Sequence, residues 1–181
     1  MSLIKGGIKV IYGDKIYLRE IIKEDIDTAY KLCSDNEVLK YNGNQYGLLS
    51  KQYIKEHLKY FNIPSKRDYV VIEKLGNIVG VISYSEDKYA KGVYSMGITI
   101  GKKYWHKGFG SDAIKALLNY LFFKKKAHKI ELEVVKKNTP AIMCYKKLGF
   151  TEEGLRRKKY FYKNEYLDTI LMGLLKEEYK A

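Results

Sequence analysis

The sequence predicts an α+β domain, a mixed and mainly antiparallel sheet carrying helices on both faces. Three observations lead there. The 181 residues contain two prolines and no polar or Pro/Gly/Ser-rich linker, which suits one domain spanning 1–181 with a sizeable core. Apolar residues alternate with period two in some stretches and recur at i, i+3, i+4 and i+7 in others. The period-two stretches come in pairs joined by turn dipeptides, Gly76-Asn77 and Lys163-Asn164, and the strand–helix alternation of a doubly wound sheet does not follow.

Lys15 to Glu20 reads as a short strand. Lys23 to Cys33 reads as a helix, with Ile26, Ala29, Tyr30 and Cys33 on one face and acidic residues in its first turn. Asp35 to Gly47 is irregular, punctuated by Asn and Gly, with one helical turn at Glu37 to Tyr41. Ser50 is placed to cap a second helix whose Ile54, His57, Leu58 and Phe61 share a face. Asp68 to Glu73 and Ile78 to Tyr84 form a hairpin across Gly76-Asn77. Val93 to Ile100 is a buried strand that runs into a glycine-pinched loop. A long helix follows to about Lys125, marked by Ile114, Leu117, Leu118 and Leu121. Lys129 to Val135 is a strand and Pro140 to Leu148 a helix, entered through Thr139 as cap and ended by Gly149. Phe150 to Phe161 and Tyr166 to Leu174 close the sheet.

Chemistry concentrates at two places. Trp105-His-Lys-Gly-Phe-Gly-Ser111 puts Gly108 and Gly110 at a helix entrance, where backbone N–H groups and the helix dipole favour an anion. No Gly-Lys-Ser/Thr follows, so a P-loop is excluded, and a third glycine at the dinucleotide offset is missing. Thirty residues on, Asn138 opens a helix that carries Tyr145 and ends at Leu148-Gly149-Phe150. From periodicity alone Tyr145 is a core tyrosine on the stripe Ala141, Cys144, Tyr145 and Leu148. Cys33 and Cys144 read as buried free thiols. His57, His106 and His128 lack metal-ligand spacing, and no metal is expected. Without a signal peptide or an apolar run long enough to span a bilayer, the expected location is cytoplasmic, with no membrane partner.

Together the two motifs resemble the acetyl-coenzyme A site of the GNAT N-acetyltransferase superfamily, whose element order this chain follows over nearly its whole length. The branch it resembles contains the ribosomal-protein (Rim type) and spermidine acetyltransferases. Trp105 stands three before Gly108, where many other GNAT enzymes carry Gln or Arg. Asn138, Tyr145 and Leu148-Gly149-Phe150 keep the branch's spacing, and Glu153-Gly154 to Met172 resembles its closing hairpin. The resemblance implies an acyltransferase that moves an acetyl group from acetyl-CoA to a primary amine by direct attack. It implies that Ile98, Thr99 and Ile100 offer backbone groups to the thioester oxygen and pantetheine. It further implies that Trp105, His106, Lys107, Gly108, Phe109, Gly110 and Ser111 surround the pyrophosphate, that Asn138 bonds the pantetheine arm, and that Tyr145 protonates the leaving thiolate. Its offset of seven from Asn138 is what lifts Tyr145 out of the core reading.

A general base is harder to place. Ser95 and Tyr160 stand where related proteins carry acids, which leaves Glu20, Glu86, Asp87 and Glu133 as candidates. An amine of low pKa needs such a base least, since an α-amino group titrates near 8 and a lysine-like amine near 10. The formal net charge of +13 also disfavours a polycationic acceptor at long range. Both arguments favour a protein or peptide N-terminus, with a ribosomal protein or the ribosome surface as a partner. The alternatives are a small-molecule amine (polyamine, aminoglycoside or amino sugar) and, from another class, a non-catalytic GNAT-shaped module that binds RNA or protein. Acceptor choice is expected to lie in Asn36 to Phe61 and near Tyr160 to Tyr166.

Overall fold

A computed structural model describes residues 10–42, 51–57, 63 and 65–180. Among them eight strands form one sheet: β1 (Val10–Tyr12), β2 (Ile16–Glu20), β3 (Lys66–Glu73), β4 (Ile78–Glu86), β5 (Val93–Ile100), β6 (Lys129–Val135), β7 (Thr151–Tyr162) and β8 (Glu165–Leu175). Their spatial order is β1-β2-β3-β4-β5-β6-β8-β7, antiparallel throughout except for β5 with β6. The helices are α1 (Ile26–Cys33), α2 (Asn36–Asn42), α3 (Lys51–His57), α4 (Phe109–Asn119) and α5 (Thr139–Lys147).

Period-two alternation separates the two faces. Tyr69 and Val71 of β3, Ile82 and Tyr84 of β4, Tyr94 and Met96 of β5, and Ile130, Leu132 and Val134 of β6 join Ile114, Leu117 and Leu118 of α4 and Ile142 and Tyr145 of α5 in one core. Each fully buried aliphatic there contributes about 1.5–3 kcal/mol of burial. Val70, Ile72 and Val135 point the other way, where Ile26, Ala29 and Cys33 of α1 and Val38 of α2 are buried. The α4 stripe read from the sequence is the buried one. On α5 the stripe differs: Ile142 is buried, whereas Ala141 and Cys144 turn towards a cleft.

Turns follow local chemistry. Lys163 and Asn164, at φ of 46° and 62°, make the left-handed pair that a two-residue hairpin requires. At the β3–β4 turn Gly76 has φ of 92°, and the Glu73 carboxylate accepts N–H bonds from Leu75 at 2.9 Å and Asn77 at 3.1 Å. Those bonds hold Glu73 below the usual carboxylate range.

Several boundaries differ from expectation. β1 was not foreseen, being three residues long and unmarked by any periodicity. The α1 segment starts as a 3₁₀ turn at Lys23–Asp25, because the Asp25 carboxylate pairs with the two terminal nitrogens of the Arg19 guanidinium (2.9 and 2.8 Å) and accepts from the Ile22 N–H at 2.8 Å. The single turn expected at Glu37 to Tyr41 is the longer α2. The α4 run ends in a π-helical turn, Tyr120–Lys124. Asn138, not Thr139, caps α5: its Oδ1 accepts from the Ala141 N–H at 3.3 Å. Ser50, Leu58 and Phe61 lie outside the described residues, as does part of the segment expected to choose the acceptor.

One contact ties the sheet edge to α4. Asp112, in the first turn, accepts N–H bonds from Asp14 (3.0 Å), Lys15 (2.7 Å) and Ile16 (3.1 Å) at the β1–β2 turn. Replacing Asp112 with Ala is expected to lower stability by about 1–3 kcal/mol. The same change speeds amide exchange at those three residues, measurable by denaturant titration and hydrogen exchange. Unchanged exchange there would show that the carboxylate does not hold the turn.

Candidate active site

The parallel pairing of β5 and β6 is short. Val93, Tyr94 and Ser95 lie opposite Lys129, Ile130 and Glu131; beyond them β5 pairs with β4 alone and β6 with β8 alone. The two strands therefore diverge towards their C-terminal ends. The Gly101 N–H donates to Val79 O at 2.9 Å, which fixes the phase of β5: Thr99 and Gly97 bond to β4, while Ile98 and Ile100 aim their backbone groups into the gap. Ile100 O in that gap accepts the Trp105 indole N–H at 2.7 Å.

A cleft of about 420 Å³ follows the divergence and reaches both faces of the sheet. Ile98, Thr99 and Ile100 line it, with Trp105, His106, Gly108, Phe109, Gly110 and Ser111 at the α4 entrance and Asn138 and Tyr145 on α5. Val38 and Tyr41 of α2 close it from the opposite face. The C-terminal ends of both diverging strands thus lead into helices, whose N-termini flank the cleft and whose dipoles favour negative charge between them.

The α4 loop is shaped for close approach. Gly108 caps the helix at φ of 81° and His106 also has a positive φ, 60°. The Ser111 hydroxyl donates to Gly108 O at 2.9 Å, stiffening the turn. Gly110 faces Ile100, where an added Cβ would come within 3.4 Å of that side chain. Lys107 is the one expected binding residue that does not line the cleft; its ammonium lies 5.6 Å from the Tyr104 ring centroid. Trp105, beyond lining the cleft, is a tie between loop and strand, and its ring packs 6.0 Å from Tyr41.

Tyr145 is 7% exposed, with its ring edge-on to Phe150 at 5.8 Å. Burial, seconded by neighbouring Cys144, pushes its pKa above the ordinary tyrosine value, so the phenol stays protonated across the physiological range and has a proton to donate. Cys144 is likewise pushed up by burial, which disfavours a nucleophilic thiolate.

The carboxylates considered as bases have other partners. Asp87 accepts N–H bonds from Tyr89 (2.7 Å) and Ala90 (2.8 Å) in the turn at the far end of β5. Glu20 pairs with Arg67 at 3.4 Å, and Glu86 bonds the Tyr94 hydroxyl. Glu133 pairs with Arg156 at 2.9 Å and accepts the Thr169 hydroxyl proton. Sequence reasoning missed Asp68. It stands in register with Ser83, and Ser83 with Gly97, so the three share the face covered by α1 and α2. Burial raises its pKa from 3.8 to about 6, with Lys66 at 3.9 Å opposing. Nothing in the sequence around Asp68 signals that burial, which comes from tertiary packing.

The arrangement offers paired helix N-termini for phosphates, strand amides for a carbonyl oxygen, and a buried phenol as proton donor. Among the described residues no three His, Cys, Asp or Glu side chains group as a metal site, and no helix is long and apolar enough to cross a membrane.

A family profile described as Acetyltransferase (GNAT) domain matches residues 15–151. The chain is 28% identical over 177 residues to an uncharacterized N-acetyltransferase, p20, of Bacillus licheniformis, covering 95% of this chain and 99% of that one. It is 27% identical over 166 residues to the spermidine N(1)-acetyltransferase of Escherichia coli K12, covering 92% and 89%. The crystal structure of spermidine N-acetyltransferase from Vibrio cholerae in complex with CoA and spermine superposes with a TM-score of 0.83 at 26% identity, over 91% of this chain and 98% of that one.

A carboxyl with a raised folded pKa costs stability when ionised. The penalty is absent below the unfolded value of 3.8 and complete above about 6. Asp68→Asn is therefore expected to stabilise the protein by about 1–3 kcal/mol at pH 8, with the gain fading as pH falls through 6 towards 4. Thermal melts across that range check it, and a gain independent of pH would contradict the assignment.

Proposed function

The chain belongs to the GNAT acetyltransferases and is an acetyl-CoA:amine N-acetyltransferase, and from that premise we propose that its acceptor is a small polyamine of the spermidine class. The observation that carries the proposal is the V. cholerae relative, bound to CoA and spermine, which shares its fold with this protein over 98% of its own chain. Local charge supports it. Asp68 lies on the sheet face beneath α1 and α2 together with Glu131 and Glu133, which pair with Lys129 and Arg156, so carboxylates gather on a face that a net charge of +13 does not reveal. The earlier preference for a protein N-terminus rested on that net charge and on a missing base, and a ribosomal partner gains no support from the relatives.

In this reading the loop from His106 to Ser111 holds the pyrophosphate and Asn138 the pantetheine arm. Acetyl-CoA supplies the acetyl carbon as a thioester electrophile. The Ile98 amide, aimed into the gap, stabilises the charge that develops on the carbonyl oxygen. The amine nitrogen forms the new C–N bond, the C–S bond breaks, and the amine's surplus proton leaves through water to a carboxylate on the acceptor face. Asp68, titrating near 6, suits that task at neutral pH. Tyr145 donates a hydrogen bond, and then a proton, to the departing sulfur, and the phenolate at once regains a proton from solvent water. A phenol above its ordinary pKa is a weaker acid than a thiol, so its contribution is greatest while charge builds on sulfur and before the thiolate is free.

CoA release measured with spermidine, spermine, aminoglycosides, amino sugars and N-terminal peptides tests the acceptor. Turnover with the polyamines is expected, cut about 100-fold or more in Tyr145→Phe with little change in KM for acetyl-CoA. Preference for peptides would overturn the acceptor, and full activity of the variant would remove Tyr145 from the reaction.

A further inference from the structure

The tie between the β1–β2 turn and α4 does more than fasten a sheet edge. Asp112 sits in the first turn of the helix that faces the phosphates, where its carboxylate would repel them. It is instead turned onto the backbone N–H groups of Asp14, Lys15 and Ile16. The approach is close: a Cβ on Gly13 would lie 2.5 Å from Asp112 Oδ2, so only glycine fits there without displacing the carboxylate. With its backbone fixed in this way, Lys15 reaches along the loop. Its Nζ donates to Lys107 O at 3.3 Å and stands 3.1 Å from the position a Cβ on Gly108 would take.

An ammonium in that place is opposed by the positive end of the α4 dipole, and a bound anion reverses the sign of the argument. A lysine meets phosphate as a mobile point charge and requires no fixed fork geometry. We infer that Lys15 is a phosphate ligand: the β1–β2 hairpin borders the glycine loop at the α4 entrance and delivers this ammonium beside Gly108 to the pyrophosphate of acetyl-CoA, with Asp112 as its positioning residue. The inference depends on where the cofactor lies and is independent of the acceptor. It makes the site selective for nucleotide-bearing acyl donors over acyl-pantetheine.

Calorimetric titration of the full-length protein with CoA and with 3′-dephospho-CoA tests it, needing no acceptor. Lys15→Gln is expected to raise Kd about tenfold for both ligands, with Lys15→Arg recovering most of the loss. Asp112→Asn is expected to raise Kd in the same direction, whereas a purely structural role would lower Tm and leave Kd in place. A Kd within twofold of wild type for Lys15→Gln would overturn the proposal. So would a loss seen with CoA and not with 3′-dephospho-CoA, which would assign the ammonium to the 3′-phosphate.

Discussion

Everything at the active site depends on where the parallel contact between β5 and β6 stops. After Ser95 and Glu131 the strands part, and the backbone groups of Ile98 and Ile100 face a gap in the middle of the sheet. A buried backbone group without a partner costs roughly 1–3 kcal/mol, so such a gap persists only if other groups fill it. The Trp105 indole satisfies Ile100 O. The N–H groups of Ile98 and Ile100 face the same gap, and in the proposed reaction they would receive a ligand's carbonyl oxygens.

The same divergence sets the electrostatics. Two strands running in parallel into two helices place both helix N-termini at one end of the sheet, on either side of the gap. Gly108 and Asn138 cap them with a backbone turn and a short side chain, leaving room between. A long anionic cofactor would fit along that axis, while the face of the sheet beneath α1 and α2 carries the carboxylates Asp68, Glu131 and Glu133, the last two ion-paired with Lys129 and Arg156. One passage through the sheet therefore joins the helix N-termini on one side to the α2 side on the other, which is the geometry the proposed reaction uses.

Much of this was legible in the sequence because it is local. The α4 stripe, the glycine pinch and the Asn138 to Gly149 segment each lie within one element and its caps, so spacing suffices to find them. What escaped notice depends on residues far apart in the chain. Lys15 meets Lys107 across 92 positions, and Asp112 meets the β1–β2 turn across 96 to 98. Asp68 reads as an ordinary strand residue until packing withdraws it from water. The choice of Thr139 as cap failed for a simpler reason: Asn and Thr are both good caps, and only the backbone φ and ψ decide between neighbours. Net charge says little about the acceptor, since it counts lysines without placing them.

The central claim is that the cofactor occupies the gap between β5 and β6. Amide chemical shifts followed during titration with CoA report on it directly in a 21.1 kDa protein. The largest shifts are expected at Ile98, Ile100 and Gly108 to Ser111, with smaller ones at Asn138 and Ala141. Shifts confined to the α1–α3 face, or absent from Ile98 and Ile100, would contradict it.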